Sequence, residues 1–295
     1  MSRFGSVLTA MVTPFGADGS LDADGAARLA RWLVDHGSDG LVVSGTTGES
    51  PTLTEAEKRS LWRSVRDAVD VPVIAGSTGN DTAESIRLTK AACDIGCDAV
   101  LAVTPYYSRP SQVGISEHFR AVAEAAGAKP VLLYDVPPRT GRKLATDTIL
   151  GLATDVSNIV GLKDAGGQPG ETARLVAGAP PGFEVYSGDD HLTLPLLAVG
   201  AVGVISVASH WCGGALGEMA AALLKGDVER AREVNATLLD SYAYESTDAA
   251  PNPIPTKVMM DVLGVPVGQC RLPMGPPPVG LEDHARRIAT SLNLL

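Results

Sequence analysis

Eight short β-rich runs recur along this chain at intervals of roughly thirty residues, the spacing of a strand followed by a helix. They are Val7–Val12, Leu41–Ser44, Pro72–Gly76, Ala99–Thr104, Val131–Asp135, Ile159–Lys163, Glu184–Ser187 and Val202–Ser206. Between them the apolar residues fall at helical spacing, as at Leu61, Val65, Ala68 and Val69. Helix starts are marked at Thr54-Glu55-Ala56-Glu57 and Asp81-Thr82-Ala83-Glu84, each fitting a capping box or its Asp-led equivalent. Eight strand–helix units predict a closed (β/α)8 barrel over residues 1–225. Residues 226–295 show no strand alternation. They read as a helical extension broken by Pro-rich turns such as Ala250-Pro251-Asn252-Pro253-Ile254-Pro255. A doubly wound open sheet is disfavoured, because no G-x-G-x-x-G follows the first strand.

The composition narrows the function. A net charge of −10 and a pI near 5.0 argue against a nucleic-acid partner. The amino terminus runs straight into an apolar strand pattern without a leader-like segment, and no apolar stretch reaches the length needed to span a bilayer. A cytoplasmic protein without membrane association is the expectation. Cys93, Cys97, Cys212 and Cys270 form no Cys-x-x-Cys pair and read as free thiols, with Cys93 and Cys97 on one helix. The histidines lack metal-ligand spacing, so no metal is expected.

In such a barrel the chemistry collects at the C-terminal ends of the strands. Lys163 is the one lysine of seven that closes an apolar strand. Lys58, Lys90, Lys225 and Lys257 lie in helix-like stretches, Lys129 precedes a proline, and Lys143 sits in a loop. Burial disfavours an ammonium, so such a group tends towards the neutral amine. A neutral amine attacks a carbonyl carbon and forms a Schiff base. The competing reading is a strand-end lysine that extends to the surface.

Other strand ends carry complementary groups. After the second strand, Ser44-Gly45-Thr46-Thr47-Gly48-Glu49-Ser50 offers hydroxyls and backbone N–H groups suited to a small carboxylate. Taken alone it is equally a tight turn with hydroxyl caps. Tyr134, one strand from Lys163, can shuttle protons or be a core tyrosine with a satisfied hydroxyl. Arg139 can grip a second carboxylate or form a surface ion pair. Asp189-Asp190-His191 reads as a helix start rather than a metal cluster.

Gly45-Thr46-Thr47-Gly48-Glu49, Tyr106-Tyr107, Pro137-Pro138-Arg139-Thr140-Gly141, Gly161-Leu162-Lys163-Asp164 and Ser187-Gly188-Asp189-Asp190 together resemble the dihydrodipicolinate synthase family. The resemblance runs on through Pro251–Pro255 and Arg271-Leu272-Pro273-Met274, nearly the whole chain. It implies a lyase of lysine and diaminopimelate biosynthesis that condenses pyruvate with aspartate semialdehyde, with no bound cofactor beyond the covalent pyruvate Schiff base. Lys163 would then carry the pyruvate Schiff base, and Thr46, Tyr134 and Tyr107 would relay protons, with Tyr107 reaching in from a neighbouring subunit. Thr47 would hold the pyruvate carboxylate, Arg139 the aldehyde's carboxylate, and Gly188 and Ile205 would line the pyruvate pocket. A homotetramer of two tight dimers is implied as well.

Asn80, Glu84 and Tyr106 match the positions where lysine-inhibited members bind their effector. Lys58 departs from that pattern, standing where sensitive members place His or Glu. Asp135 and Asp164 also depart, where Asn and Glu are common. Sister families sharing the barrel and the lysine, N-acetylneuraminate lyase and the ketodeoxy-sugar-acid aldolases, usually lack an arginine at the position of Arg139. A phosphate-binding barrel isomerase is the reading from another class. The Asp189-Asp190 pair after strand seven would repel its phosphate.

Overall fold

The computed structural model describes residues 2–295. Its eight strands are β1 Val7–Ala10, β2 Gly40–Val43, β3 Val73–Gly76, β4 Ala99–Val103, β5 Val131–Asp135, β6 Ile159–Asp164, β7 Glu184–Ser187 and β8 Gly203–Ser206. All pair in parallel in sequence order, and β8 closes onto β1. The strands anticipated from the sequence are those observed, with ends shifted by a residue or two.

The helices are α1 Ala23–Asp35, α2 Glu55–Arg66, α3 Thr82–Ile95, α4 Gln112–Ala126, α5 Pro137–Thr140, α6 Thr146–Asp155, α7 Pro169–Gly178, α8 Thr193–Ala198 and α9 Ser209–Leu224. Beyond them lie α10 Val228–Tyr244, α11 Ile254–Val262 and α12 Leu281–Ser291. The capping box at Thr54 is present, with Thr54 and Glu57 bonded reciprocally. The one at Asp81 is not closed: Asp81 takes the Ala83 amide at 2.8 Å, and the exposed Glu84 makes no return bond. Helix α3 ends at Ile95 and Gly96 caps it in the left-handed region, so Cys97 lies beyond the helix that carries Cys93.

Strand alternation divides the core into layers. Leu8, Val42, Ile74, Leu101, Leu132, Tyr134, Tyr186 and Ile205 fill the barrel interior. Val131, Leu133, Ile159 and Leu162 face outward against α4, α6 and α7. The last helices pack on the outside of the barrel start: Val7, Val204, Trp211, Leu238, Met259 and Ile288 share one cluster.

One irregularity aims the key lysine. Between β5 and β6, Val131 pairs with Ile159 while the next residue, Leu132, pairs with Gly161, so Val160 is an extra residue. Strict alternation from the outward Ile159 would turn Lys163 outward too. The bulge resets the phase, so that Leu162 faces out and Lys163 faces in. Gly161 makes the close approach possible. A Cβ there would stand 2.3 Å from the Glu184 carbonyl oxygen of β7.

Candidate active site

Lys163 is 5% exposed, and its Nζ lies 4.5 Å from the centroid of the Tyr134 ring. The two residues are register partners, and Tyr186 flanks Lys163 on β7. Lys163 does not extend to the surface, and among the described residues it forms no ion pair. Ile205 is buried one strand further on, in the same interior layer as Tyr134. Gly188 follows β7 and donates its amide to the Asp164 carbonyl at 2.7 Å. A Cβ on Gly188 would meet the Ala165 Cβ at 2.9 Å, so the turn fits against β6 only without a side chain.

The β2 turn is held from several sides. Ser44 (φ 56°) and Glu49 (φ 55°) take left-handed backbone conformations at its two ends. Trp62 Nε1 donates to Ser44 Oγ at 2.8 Å, and Thr13 Oγ1 donates to the Gly48 carbonyl at 2.6 Å. Gly76 lets the turn pass close by, since a Cβ there would stand 2.6 Å from the Ser44 carbonyl oxygen. Buried Glu49 pairs with Lys257 Nζ at 2.8 Å and accepts the Arg271 amide at 2.8 Å. Thr47 Oγ1 receives the side-chain amide of Asn252 at 3.0 Å. The Thr46 and Thr47 amides donate to no protein acceptor among the described residues.

A cavity of about 220 Å³ opens at this end of the barrel. Thr46, Tyr106, Tyr134 and Arg139 line it, together with Ser44, Thr78 and Val103. Arg139 stands on the short helix α5, which Pro137 begins and Gly141 ends in the left-handed region. Its guanidinium is exposed and enters no ion pair among the described residues, so it is not the surface bridge that its position also allowed. Lys163, Thr47, Gly188 and Ile205 do not line the open cavity; Lys163 adjoins it through the Tyr134 ring, which does. Thr47 and Ile205 are buried, and Gly188 is half-buried. Tyr107 is 89% exposed with φ 69°, presented outward from this chain's own site.

The remaining polar groups hold backbone. Asp135 accepts from Lys143 and from the Leu144 amide, while burial pushes its carboxyl above the ordinary carboxylate range. Asp164 accepts from the Gly166 amide at 2.8 Å and from Thr172 Oγ1 at 2.6 Å. Asp190 does not cap its own helix. Its Oδ2 receives the Val207 and Ala208 amides at 2.8 and 3.1 Å, fixing the loop that leaves β8. Burial raises Asp189 above its usual range.

On the outer wall, Lys58 is 8% exposed. Burial lowers its affinity for the proton, against the opposing pull of the Glu84 and Glu55 charges. Tyr106 lies near the same Glu84 charge, and its hydroxyl approaches Gly79, the neighbour of Asn80. Glu84 thus lies near both Lys58 and Tyr106, and of these residues and Asn80 only Tyr106 lines the cavity.

Asn252, Glu49 and Lys257 were not singled out in the sequence as site-bearing. Their partners lie some two hundred residues away, and the available signal was the Pro-Asn-Pro turn itself.

A family model described as the dihydrodipicolinate synthetase family matches residues 3–291. A curated relative from Moorella thermoacetica, 4-hydroxy-tetrahydrodipicolinate synthase, is 49% identical over 98% of each chain. The structure of the enzyme from Cyanidioschyzon merolae with lysine bound superposes with a TM-score of 0.97, at 42% identity over 100% of both chains. That of dihydrodipicolinate synthase from Bacillus anthracis gives 0.94, at 43% identity over 99% of each. This chain belongs to the dihydrodipicolinate synthetase family.

Proposed function

We infer that the chain condenses pyruvate with L-aspartate 4-semialdehyde to give 4-hydroxy-tetrahydrodipicolinate, a step of lysine and diaminopimelate biosynthesis. The observation that carries this reading is the inward Lys163, buried over the Tyr134 ring beside a cavity that also holds Thr46 and the unpaired Arg139. The Lys163 amine adds to the C2 carbonyl of pyruvate, and the carbonyl oxygen leaves as water. Loss of a C3 proton gives an enamine, which attacks the aldehyde carbon of the second substrate. The amine of that substrate then adds at C2 and displaces Lys163, closing the ring. All of the reacting atoms come from Lys163 and the two substrates.

The supporting residues take separate tasks. Thr47, with the uncommitted Thr46 and Thr47 amides, binds the pyruvate carboxylate. Tyr134 and Thr46 carry the protons, joined by Tyr107 of a second copy of the chain. The outward presentation of Tyr107 supports that division, and with it an assembly of at least two subunits, a homotetramer by resemblance. Gly188 and Ile205 line the pyruvate pocket by resemblance.

Arg139 favours aspartate semialdehyde over sugar-acid aldehydes, because its free guanidinium suits a carboxylate and not a polyol. A coupled assay tests this. Aspartate semialdehyde should be consumed with pyruvate, while N-acetylmannosamine and glyceraldehyde should not. Preferential turnover of the sugar aldehydes would overturn the assignment.

Lysine feedback is expected to be weak. The Glu84 charge already faces Lys58, whose ammonium opposes that of an effector by roughly 4 kcal/mol at 4 Å and an effective dielectric of 20. Half-inhibition by sub-millimolar lysine would contradict this.

A further inference from the structure

The helical extension reaches into the proposed carboxylate cradle. Asn252 lies between α10 and α11, buried, with its own amide donating to Ser246 Oγ at 3.2 Å. Its Nδ2 donates to Thr47 Oγ1 at 3.0 Å. In this amide orientation, which leaves Asn252 Oδ1 buried without a partner among the described residues, the NH2 donates and cannot accept, so the contact has one polarity. Thr47 oxygen is the acceptor, and its own hydroxyl hydrogen must point elsewhere. Among the described residues Thr47 Oγ1 has no second hydrogen-bond partner. A carboxylate only accepts. The hydroxyl is therefore set in the one polarity that a carboxylate ligand can use. The same turn is gripped at its far end, where Glu49 meets Lys257 and the Arg271 amide.

We propose that Asn252 is a positioning residue for the carboxylate-binding step, acting through Thr47 by fixing its hydroxyl as a donor. The proposal rests on the reading of Thr47 as a pyruvate-carboxylate ligand. Without Asn252 the Thr47 hydroxyl rotates freely, and its hydrogen can be spent on water. With Asp in that place the polarity reverses, because an aspartate accepts from Thr47 and takes the hydrogen away from the substrate.

The test uses the full-length protein and reads the fraction of chains carrying a borohydride-reduced adduct against ketone concentration, by intact mass. Pyruvate is compared with hydroxyacetone, which offers a carbonyl and no carboxylate. Asn252→Ala should raise half-saturating pyruvate by about five- to tenfold and leave hydroxyacetone trapping unchanged. Asn252→Asp, isosteric with the native residue, should raise it on the order of a hundredfold, and it carries the comparison should the alanine variant not fold. Thr47→Val combined with Asn252→Ala should be no worse than Thr47→Val alone.

Equal losses with pyruvate and hydroxyacetone would show a general structural role and overturn the proposal. So would fold-changes that multiply in the double variant, or an Asn252→Asp protein that binds pyruvate as the native one does. If Thr47→Val itself leaves pyruvate saturation unchanged, the carboxylate reading of Thr47 falls and takes the proposal with it. That pattern differs from every outcome in which Asn252 alone is wrong.

Discussion

Lys163 and Lys257 are both buried, and their surroundings differ in kind. Lys257, 3% exposed, is fully answered: Glu49 pairs with it at 2.8 Å, the Gln269 carbonyl accepts from it at 3.1 Å, and the Phe15 ring lies 4.3 Å away. Lys163, equally deep, meets the Tyr134 ring and no carboxylate within ion-pair distance among the described residues. A buried charge costs several kcal/mol unless it is paired. The chain meets that cost at Lys257, which ties the helical extension to the β2 turn. At Lys163 it leaves the amine without an ion pair among the described residues, as the proposed nucleophilic role requires. Neither depth nor the lack of an ion pair is enough by itself, since Lys58 is also buried without an ion pair among the described residues; Lys163 differs in standing on a barrel strand with its amine over the Tyr134 ring.

The sharpest way to break the contrast is to exchange the fates of the two lysines. Lys163→Arg should lower the condensation rate by about 10⁴-fold or more while leaving the denaturation midpoint close to the native one, since a guanidinium stays protonated and cannot form the adduct. A variant that kept even a tenth of the activity would place the nucleophile elsewhere. Lys257→Met should do the reverse. Stranding Glu49 should cost about 3–5 kcal/mol in chemical denaturation, with trapping at Lys163 preserved in the folded fraction. Replacing both partners, as Glu49→Gln with Lys257→Met, should recover much of that stability.

A smaller effect is expected at Arg139. Arg139→Ala should still trap pyruvate but lose about 10- to 150-fold in condensation, the loss of one charge-assisted contact. An equal loss of trapping would assign Arg139 to the support of the barrel.

The mildest effect concerns the clamp near Lys257. A hydrogen bond from Arg271 holds the Glu57 carboxyl down to about 2, from an ordinary 4.5. A lowered folded-state value means stability that is present above about pH 4.5 and lost as the pH falls towards 2. Denaturation midpoints followed from pH 5 to 2.5 should therefore fall less steeply in Glu57→Gln than in the native chain.

Much of this was legible in the chain. Strand spacing gave the closed barrel, and strand ends gave the neighbourhood of Lys163, Tyr134, Thr46 and Arg139. What strand pattern could not give was the direction in which Lys163 points. Read with a period of two, Ile159, Gly161 and Lys163 share a face, and only the bulge at Val160 separates them. That bulge depends on β6 lying tight against β7 at Gly161, a tertiary fact. The Asn252–Thr47 and Lys257–Glu49 contacts were hidden for the same reason, being set by how the extension folds back over the barrel. Asp189 and Asp190 do begin a helical turn, Asp190–Leu192, as their sequence indicated, but the Asp190 carboxylate does not cap it and takes the Val207 and Ala208 amides across the next loop.

The central claim, that the unpaired lysine on the barrel strand is the reactive one, is tested most directly by mapping the adduct. The native protein is reduced with borohydride in the presence of pyruvate, digested, and sequenced by mass spectrometry. The account expects a single modified peptide, bearing the pyruvate-derived mass on Lys163, with Lys257 and Lys58 untouched. An adduct on either of those lysines, or none in protein that turns over both substrates, would contradict it.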